Sequence, residues 1–214
     1  MAISTCNSPH KARLFPLGWG VWHKSGVSSS AKARRAKPPL KEATLQELAL
    51  RYVGKYATTR AKLRVYLARK IRERGWEGDR EADLERLANR FAELGYIDDA
   101  GYALGQSRSL SARGYGKQRL TQKLRVAGVD EGDSKDANAH ADAEAVSAAL
   151  RFAQRRRIGP FAKSIAERPQ REKWIGSMVR AGHNFALARA IAGQDPGQDI
   201  DLEQLFGASD FMSA

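Results

Sequence analysis

The sequence has a single cysteine, Cys6, in 214 residues. One thiol cannot close an internal disulfide or build a cysteine-rich zinc site, and it suits a reducing compartment. No apolar run approaches the roughly 18–20 residues needed to cross a bilayer. The first stretch, MAISTCNSPHKARLFPLGWGVWHKSG, has no uninterrupted apolar core of signal-peptide type. These absences lead to the expectation of a soluble, cytoplasmic protein with no membrane partner. Two-residue alternation is almost absent, which argues against strands. The Walker pattern, GxGxxG and GxSxG are missing as well. The four histidines, His10, His23, His140 and His183, are not spaced to share a metal. No sequence feature marks an enzyme, and neither metal nor cofactor is expected.

Acid is the other scarcity. The formal net charge is +13, and residues 1–41 hold eight Lys or Arg with no Asp or Glu. Residues 190–214 hold five acids and no base, so residues 42–189 carry +10 by themselves. A middle section this basic favours a polyanionic partner, a nucleic acid or an acidic protein surface.

What is present is helical. Residues 1–41 are Ser-rich, basic and Pro-containing, without an apolar stripe, and are expected to be a disordered extension. Trp19 and Trp22 are unusual for such a segment; they either dock on another surface or mark an upstream extension. Order is expected from Thr44, which has capping-box spacing to Glu47. Leu45, Leu48, Tyr52 and Tyr56 then form a helical stripe. A second helix starts near Thr58 or Thr59, carries Leu63, Tyr66, Leu67 and Ile71, and stops at Gly75. A third, over about 80–94, carries Leu84, Leu87, Ala88, Phe91 and Leu94. The cycle then recurs, with an acidic loop expected at VDEGDSKDANAH (129–140).

The pairs Ala49-Leu50, Ala103-Leu104 and Ala149-Leu150 open similar helix-break-helix segments, and a period near 50 residues suggests tandem helical repeats. The expected fold is all-α: three-helix repeats at 42–97, 98–144 and 145–193, forming an elongated, curved rod, followed by an acidic tail at 194–214. A monomer is expected.

The stretch LGYIDDAGYALGQSRSLSARGYGKQRL, from Leu94 to Leu120, holds the candidate chemistry. Asp98 and Asp99 lack the converging carboxylates or histidines that a metal or acid/base site needs. After Gly95 they read instead as the capped start of a helix, where negative charge meets the positive end of the helix dipole. Gly114 and Gly116 read mainly as a tight turn. A second reading remains, in which amides at the next helix start hold one backbone phosphate with help from Lys117 and Arg119.

The basic residues are more informative. Arg60, Lys62, Arg64, Arg69, Lys70, Arg72 and Arg74 face a single acid, Glu73, on one helix. Arg113, Lys117, Arg119, Lys123 and Arg125 occupy the equivalent place in the second unit, and Arg155, Arg156 and Arg157 in the third. Bases recurring at one place in each repeat would line one surface for phosphates, with a steep salt dependence. No Asn/Arg constellation argues for base-specific reading.

The motif LGYIDDAGYALGQSRSLSARGYGKQRLTQKLRVAGVD resembles the centre of the RecX family, regulators of the RecA recombinase. The matching positions are Gly95, Tyr96, Ile97, Asp98 and Asp99, then Tyr102-Ala103, Gly116 to Leu120, and Leu124 with Gly128-Val129. The upstream ALRYVGKYATTRAKLRVYLARKI is similar to the family's first unit. The resemblance covers about residues 42–192. It implies three three-helix repeats in a curved rod, binding to RecA and the groove of RecA–DNA filaments, and inhibition of recombinase and coprotease activity. The alternative left by the residues alone is a helical nucleic-acid-binding protein with no RecA role.

Overall fold

A computed structural model describes residues 38–201, 203 and 205–207. The basic extension lies outside the described residues as far as residue 37, Trp19 and Trp22 included. Residues 202, 204 and 208–214 of the acidic tail also lie outside them.

Between residues 42 and 193 lie nine α-helices: α1 Glu42–Val53, α2 Arg60–Arg74, α3 Leu84–Glu93, α4 Asp99–Ala112, α5 Lys117–Ala127, α6 Glu131–Ala143, α7 Ala145–Arg156, α8 Arg168–Arg180 and α9 Phe185–Gly193. A single 3₁₀ turn, Gly159–Phe161, follows α7. The one extended pairing among the described residues is a parallel bridge between Leu40 and Trp76. The fold is all-α, built from successive three-helix units.

Three apolar clusters follow the chain in order. The first gathers Leu45, Ala49, Leu63, Leu67, Phe91 and Ile97 from α1, α2 and the end of α3. The second gathers Ala103, Leu110, Leu120, Leu124, Ala137 and Ala141 from α4, α5 and α6. The third is the largest and includes Val146, Phe152, Met178, Leu187 and Ile191. Ala49, Ala103 and Ala149 are fully buried, each on the first helix of its unit. The repeated alanine therefore marks a fully buried position in each unit. Among the buried residues of the middle cluster only Leu110, Leu120 and Leu124 are larger than alanine. Such a unit depends on its neighbours for stability, as repeat units do.

Five helices end in the same way. After α3, α4, α5 and α8 a glycine takes positive φ: Gly95, Gly114, Gly128 and Gly182. In each case the next residue's N–H donates back to a carbonyl five residues earlier, as Tyr96 does to Phe91 at 2.9 Å and Val129 to Leu124 at 3.1 Å. This is the Schellman motif, which satisfies otherwise orphaned carbonyls. After α7 the same hydrogen bond runs from Ile158 to Ala153, but Arg157 takes the left-handed position with φ 56°.

Four expectations need correction. Helix α1 starts at Glu42 with no side-chain cap, so Thr44 and Glu47 lie inside it and form no capping box. The extension expected through residue 41 ends earlier: Leu40 is fully buried in the first cluster, and its backbone bonds Gly75 O and Glu77 N at 2.9 Å each. The loop expected at 129–140 is helix α6. Its inward stripe is Ser134, Ala137 and Ala141, small residues that let α6 lie close along α4. Asp130 precedes the helix, and Glu131 and Asp133 stand in its first turn, where the dipole favours acid. The third unit also reaches past residue 193. Leu205 is buried in its core, and Gly197 N–H donates to Pro160 O at 3.0 Å.

Helix α5 joins the units. At its C-terminal end, Thr59 Oγ1 donates to Ala127 O at 2.6 Å, while Thr59 itself caps α2. Gly128 leaves room for Ala61, whose methyl a Cβ there would strike. At its N-terminal end, Gly116 N–H donates to Ala181 O at 3.0 Å and Gln118 N–H to Gly182 O at 3.2 Å. A Cβ on Gly116 would run into the Gly182 carbonyl, and one on Gly182 would lie 2.6 Å from Arg119 N. The two glycines are therefore a backbone-to-backbone contact between units.

His183 completes this junction. Its ring is buried, donates from Nε2 to Gly114 O at 3.1 Å, and meets Phe152 edge-on with centroids 5.5 Å apart. Burial pushes its pKa down from 6.5 to about 4, with the Gly114 hydrogen bond opposing part of that shift. The folded state thus keeps His183 neutral where the unfolded chain takes up a proton. Its contribution to stability is complete above pH 6.5, falls as the pH drops toward 4, and changes no further below that. The expected loss across this window is on the order of 3 kcal/mol. Urea unfolding at a series of pH values checks it: His183→Gln should flatten the dependence between pH 6.5 and 4, and an unchanged slope in that variant would assign the effect elsewhere.

Candidate nucleic-acid interface

The bases expected to line one surface divide into two groups. Most of those on α2 are already engaged. Arg60 N–H and Nε donate to the Asp99 carboxylate at 3.1 and 2.8 Å, and Nη2 reaches Asp133 at 2.7 Å and Asp130 at 3.4 Å. The hydrogen bond to Asp99, with the charges of all three carboxylates, raises the Arg60 pKa against its desolvation. Arg64 is paired with Glu85. Glu73 pairs with Lys70 at 2.6 Å and Arg69 at 3.6 Å, and the Lys70 hydrogen bond is the main reason its pKa is lowered. Lys62 contacts the Tyr102 hydroxyl and sits 4.4 Å from that ring's centre. The α2 bases are therefore less free than they look along one helix: one acid among seven bases misses the acids that α3, α4 and α6 bring to it. Lys117 is likewise paired, with Asp142 at 2.6 Å.

The phosphate cradle at the start of α5 is also ruled out in its simple form, because the Gly116 and Gln118 amides are consumed by the Ala181 and Gly182 carbonyls. Asp98 and Asp99 have separate tasks. Asp98 caps α4, accepting from Gly101 N at 2.8 Å. Asp99 is buried and clasps Arg60 across the first unit junction. Gly95, Tyr96 and Tyr102 are structural: the C-terminal turn of α3, a ring against Phe91, and the support for Lys62.

The second group lies at the junction of the second and third units. Arg113, Arg119, Arg155, Arg156 and Arg180 line one open cleft. All five are exposed, and among the described residues none has an ion pair. Two rings hold four of them. The guanidinium carbons of Arg113 and Arg119 lie 5.4 and 4.9 Å from the centre of Tyr115, and those of Arg155 and Arg156 lie 5.7 and 5.9 Å from Phe152. Arg155 also donates to Arg113 O at 2.9 Å.

Rings in place of carboxylates have a chemical consequence. Stacking orients a guanidinium without neutralising it and leaves most of its in-plane donors free. Five like charges facing one cleft repel each other, and an external polyanion relieves that repulsion. The cleft continues along α5, where Gln118, Gln122 and Arg125 face Arg180 across an adjoining hollow. Arg72, Lys123 and Arg157 are exposed and unpaired among the described residues, but lie outside the cleft. Arg180 was missed in the sequence because it stands seven residues beyond the next base on α8, Lys173; the Gly116–Gly182 contact brings it beside Arg119. Among the described residues no group of three or more His, Cys, Asp or Glu could hold a metal, and no helix is long and apolar enough to cross a membrane.

No family model matches the chain. Among curated proteins it is similar to the regulatory protein RecX of Myxococcus xanthus (strain DK1622), 29% identical over 181 residues, which cover 80% of this chain and 97% of that one. It is 30% identical over 173 residues to the regulatory protein RecX of Mycobacterium sp. (strain KMS), covering 79% of this chain and 88% of the relative. Among solved structures, RecX from Lactobacillus salivarius aligns with a TM-score of 0.52 at 19% identity, over 71% of this chain and 94% of that chain.

Proposed function

The chain belongs to the RecX family of regulatory proteins, and from that premise we propose that it inhibits the RecA recombinase by binding RecA and RecA–DNA filaments. It acts through its helical repeats, with DNA backbone held at the arginine cleft. The observation that carries this reading is the set of ring-held, unpaired arginines where the second and third units meet. Guanidinium forks suit phosphate oxygens and carry no base code, so the protein recognises a filament by shape and charge rather than by sequence. RecA as the target comes from the family; the cleft contributes the DNA part of the contact.

A plain DNA binder with no RecA role is the alternative that the same cleft supports. RecA ATP hydrolysis on single-stranded DNA separates the two. With DNA in excess and the protein well below the RecA concentration, hydrolysis should fall. A DNA binder alone would slow it only when DNA is limiting, and no inhibition under excess DNA would remove the RecA reading.

A further inference from the structure

The nucleic-acid surface has a second part that the arginine cleft does not explain. A groove of about 920 Å³ runs between the first unit and the end of α5. Its walls carry three tyrosines. Tyr52 and Tyr66 stack with centroids 4.2 Å apart and planes 13° from parallel. Tyr56, half exposed, leans on Tyr52 at 5.4 Å. Tyr52 and Tyr66 are partly buried on the first cluster, and Tyr56 is the exposed ring. Val65 and Val126 beside them are largely bare as well.

The rim decides what the groove suits. It carries Arg51, Lys55, Lys62, Arg69, Lys70 and Arg125, and no carboxylate lines it. Glu47 and Glu73 stand outside and make exposed pairs with Arg51, Arg69 and Lys70. Pairs of that kind are weak, so their bases can exchange to an incoming anion. The occupant must therefore offer negative charge along its length and flat apolar faces between the charges. An unpaired nucleic-acid strand has both.

Continuity supports the same occupant. Arg125 lines this groove and also the hollow where Arg119 faces Arg180. Gln118, Gln122 and Arg125 form one stripe of α5, at i, i+4 and i+7. Arg119 to Arg125 is about 9 Å along the helix. A backbone held at the arginine cleft reaches the tyrosines without leaving the protein.

We propose that the Tyr52–Tyr56–Tyr66 groove stacks unpaired bases of a strand whose phosphates follow α5, so that the protein prefers single-stranded nucleic acid. This rests on the nucleic-acid reading of the arginine cleft, but not on any action toward RecA. The test uses the full chain without RecA. Fluorescence anisotropy compares an oligodeoxythymidylate with an abasic strand of the same length, which keeps the phosphates and loses the bases. The thymidylate strand should bind roughly tenfold more tightly, about what stacking one base contributes. Tyr56→Ala should bring it down to the abasic level without changing abasic affinity or salt slope, and Tyr56→Phe should keep the preference. Equal affinity for the two strands overturns the proposal. So does an equal loss on both strands in Tyr56→Ala. If Tyr56→Ala leaves strand binding intact but relieves RecA inhibition, the groove holds protein and the proposal is wrong while the proposed function stands.

Discussion

Neutralising Arg119 and Arg180 together should weaken binding to DNA and to RecA–DNA filaments on the order of tenfold at low salt, and flatten the salt dependence by roughly two units of log–log slope. Arg64→Gln with Lys117→Gln is the matched control. It removes the same charge from the same molecule, yet expected binding changes by less than about twofold, because neither Arg64 nor Lys117 lines the cleft or the hollow and groove that adjoin it. Melting temperature should be nearly unchanged in Arg119→Gln/Arg180→Gln, since both side chains are exposed and neither has an ion pair among the described residues.

The comparison discriminates between two ideas of a basic protein. If binding reads net charge alone, the two double variants lose equally, because each lowers the charge by the same amount. If binding reads charge held ready for an anion, only the arginine pair matters. Tyr115 fixes Arg119 in place at low entropic cost, and Arg180 arrives from the neighbouring unit. Their juxtaposition is created by folding, so the unfolded chain lacks it. Equal losses from the two double variants, at equal salt slope, would remove the cleft as a specific site.

Much of the fold is legible because its signals are local. Thr59 and Asp98 cap the helices they precede. Gly75 and Gly95 stop helices with positive φ, and the recurring alanine falls on a buried position in each unit. Helix α6 was hidden for a physical reason. Its buried stripe is Ser134, Ala137 and Ala141, and hydrophobic periodicity cannot distinguish that from a polar loop. The site was less legible than the fold. A run of bases on α2 looks free when read along one helix, because Glu85, Asp99 and Asp133 are distant in sequence. Arg180 has the opposite character: alone in sequence, but grouped in space. Charge pairing is a tertiary property, whereas capping and helix termination act within a few residues.

Arg60 shows what the paired bases do instead. Arg60→Met should destabilise the protein by about 3–4 kcal/mol, the usual cost of stripping one partner from a buried ion pair. The Asp99 side chain is only 4% exposed. Without the guanidinium it keeps the Arg60 amide at 3.1 Å and loses its counter-charge. Asp133 and Asp130 would then face Asp99 with no cation between them, adding repulsion on the second-unit side. The clasp joins α2 of the first unit to α4 and α6 of the second, so its loss should also loosen the groove between α2 and α5. Arg60→Met/Asp99→Leu should recover most of the loss, because an apolar pair of suitable volume avoids the desolvation that the ion pair overcomes. Urea unfolding of the two single variants and the double variant measures the coupling directly. Additive losses, or a loss below about 1 kcal/mol in Arg60→Met, would mean that the pair is exposed enough for water to take the place of either partner.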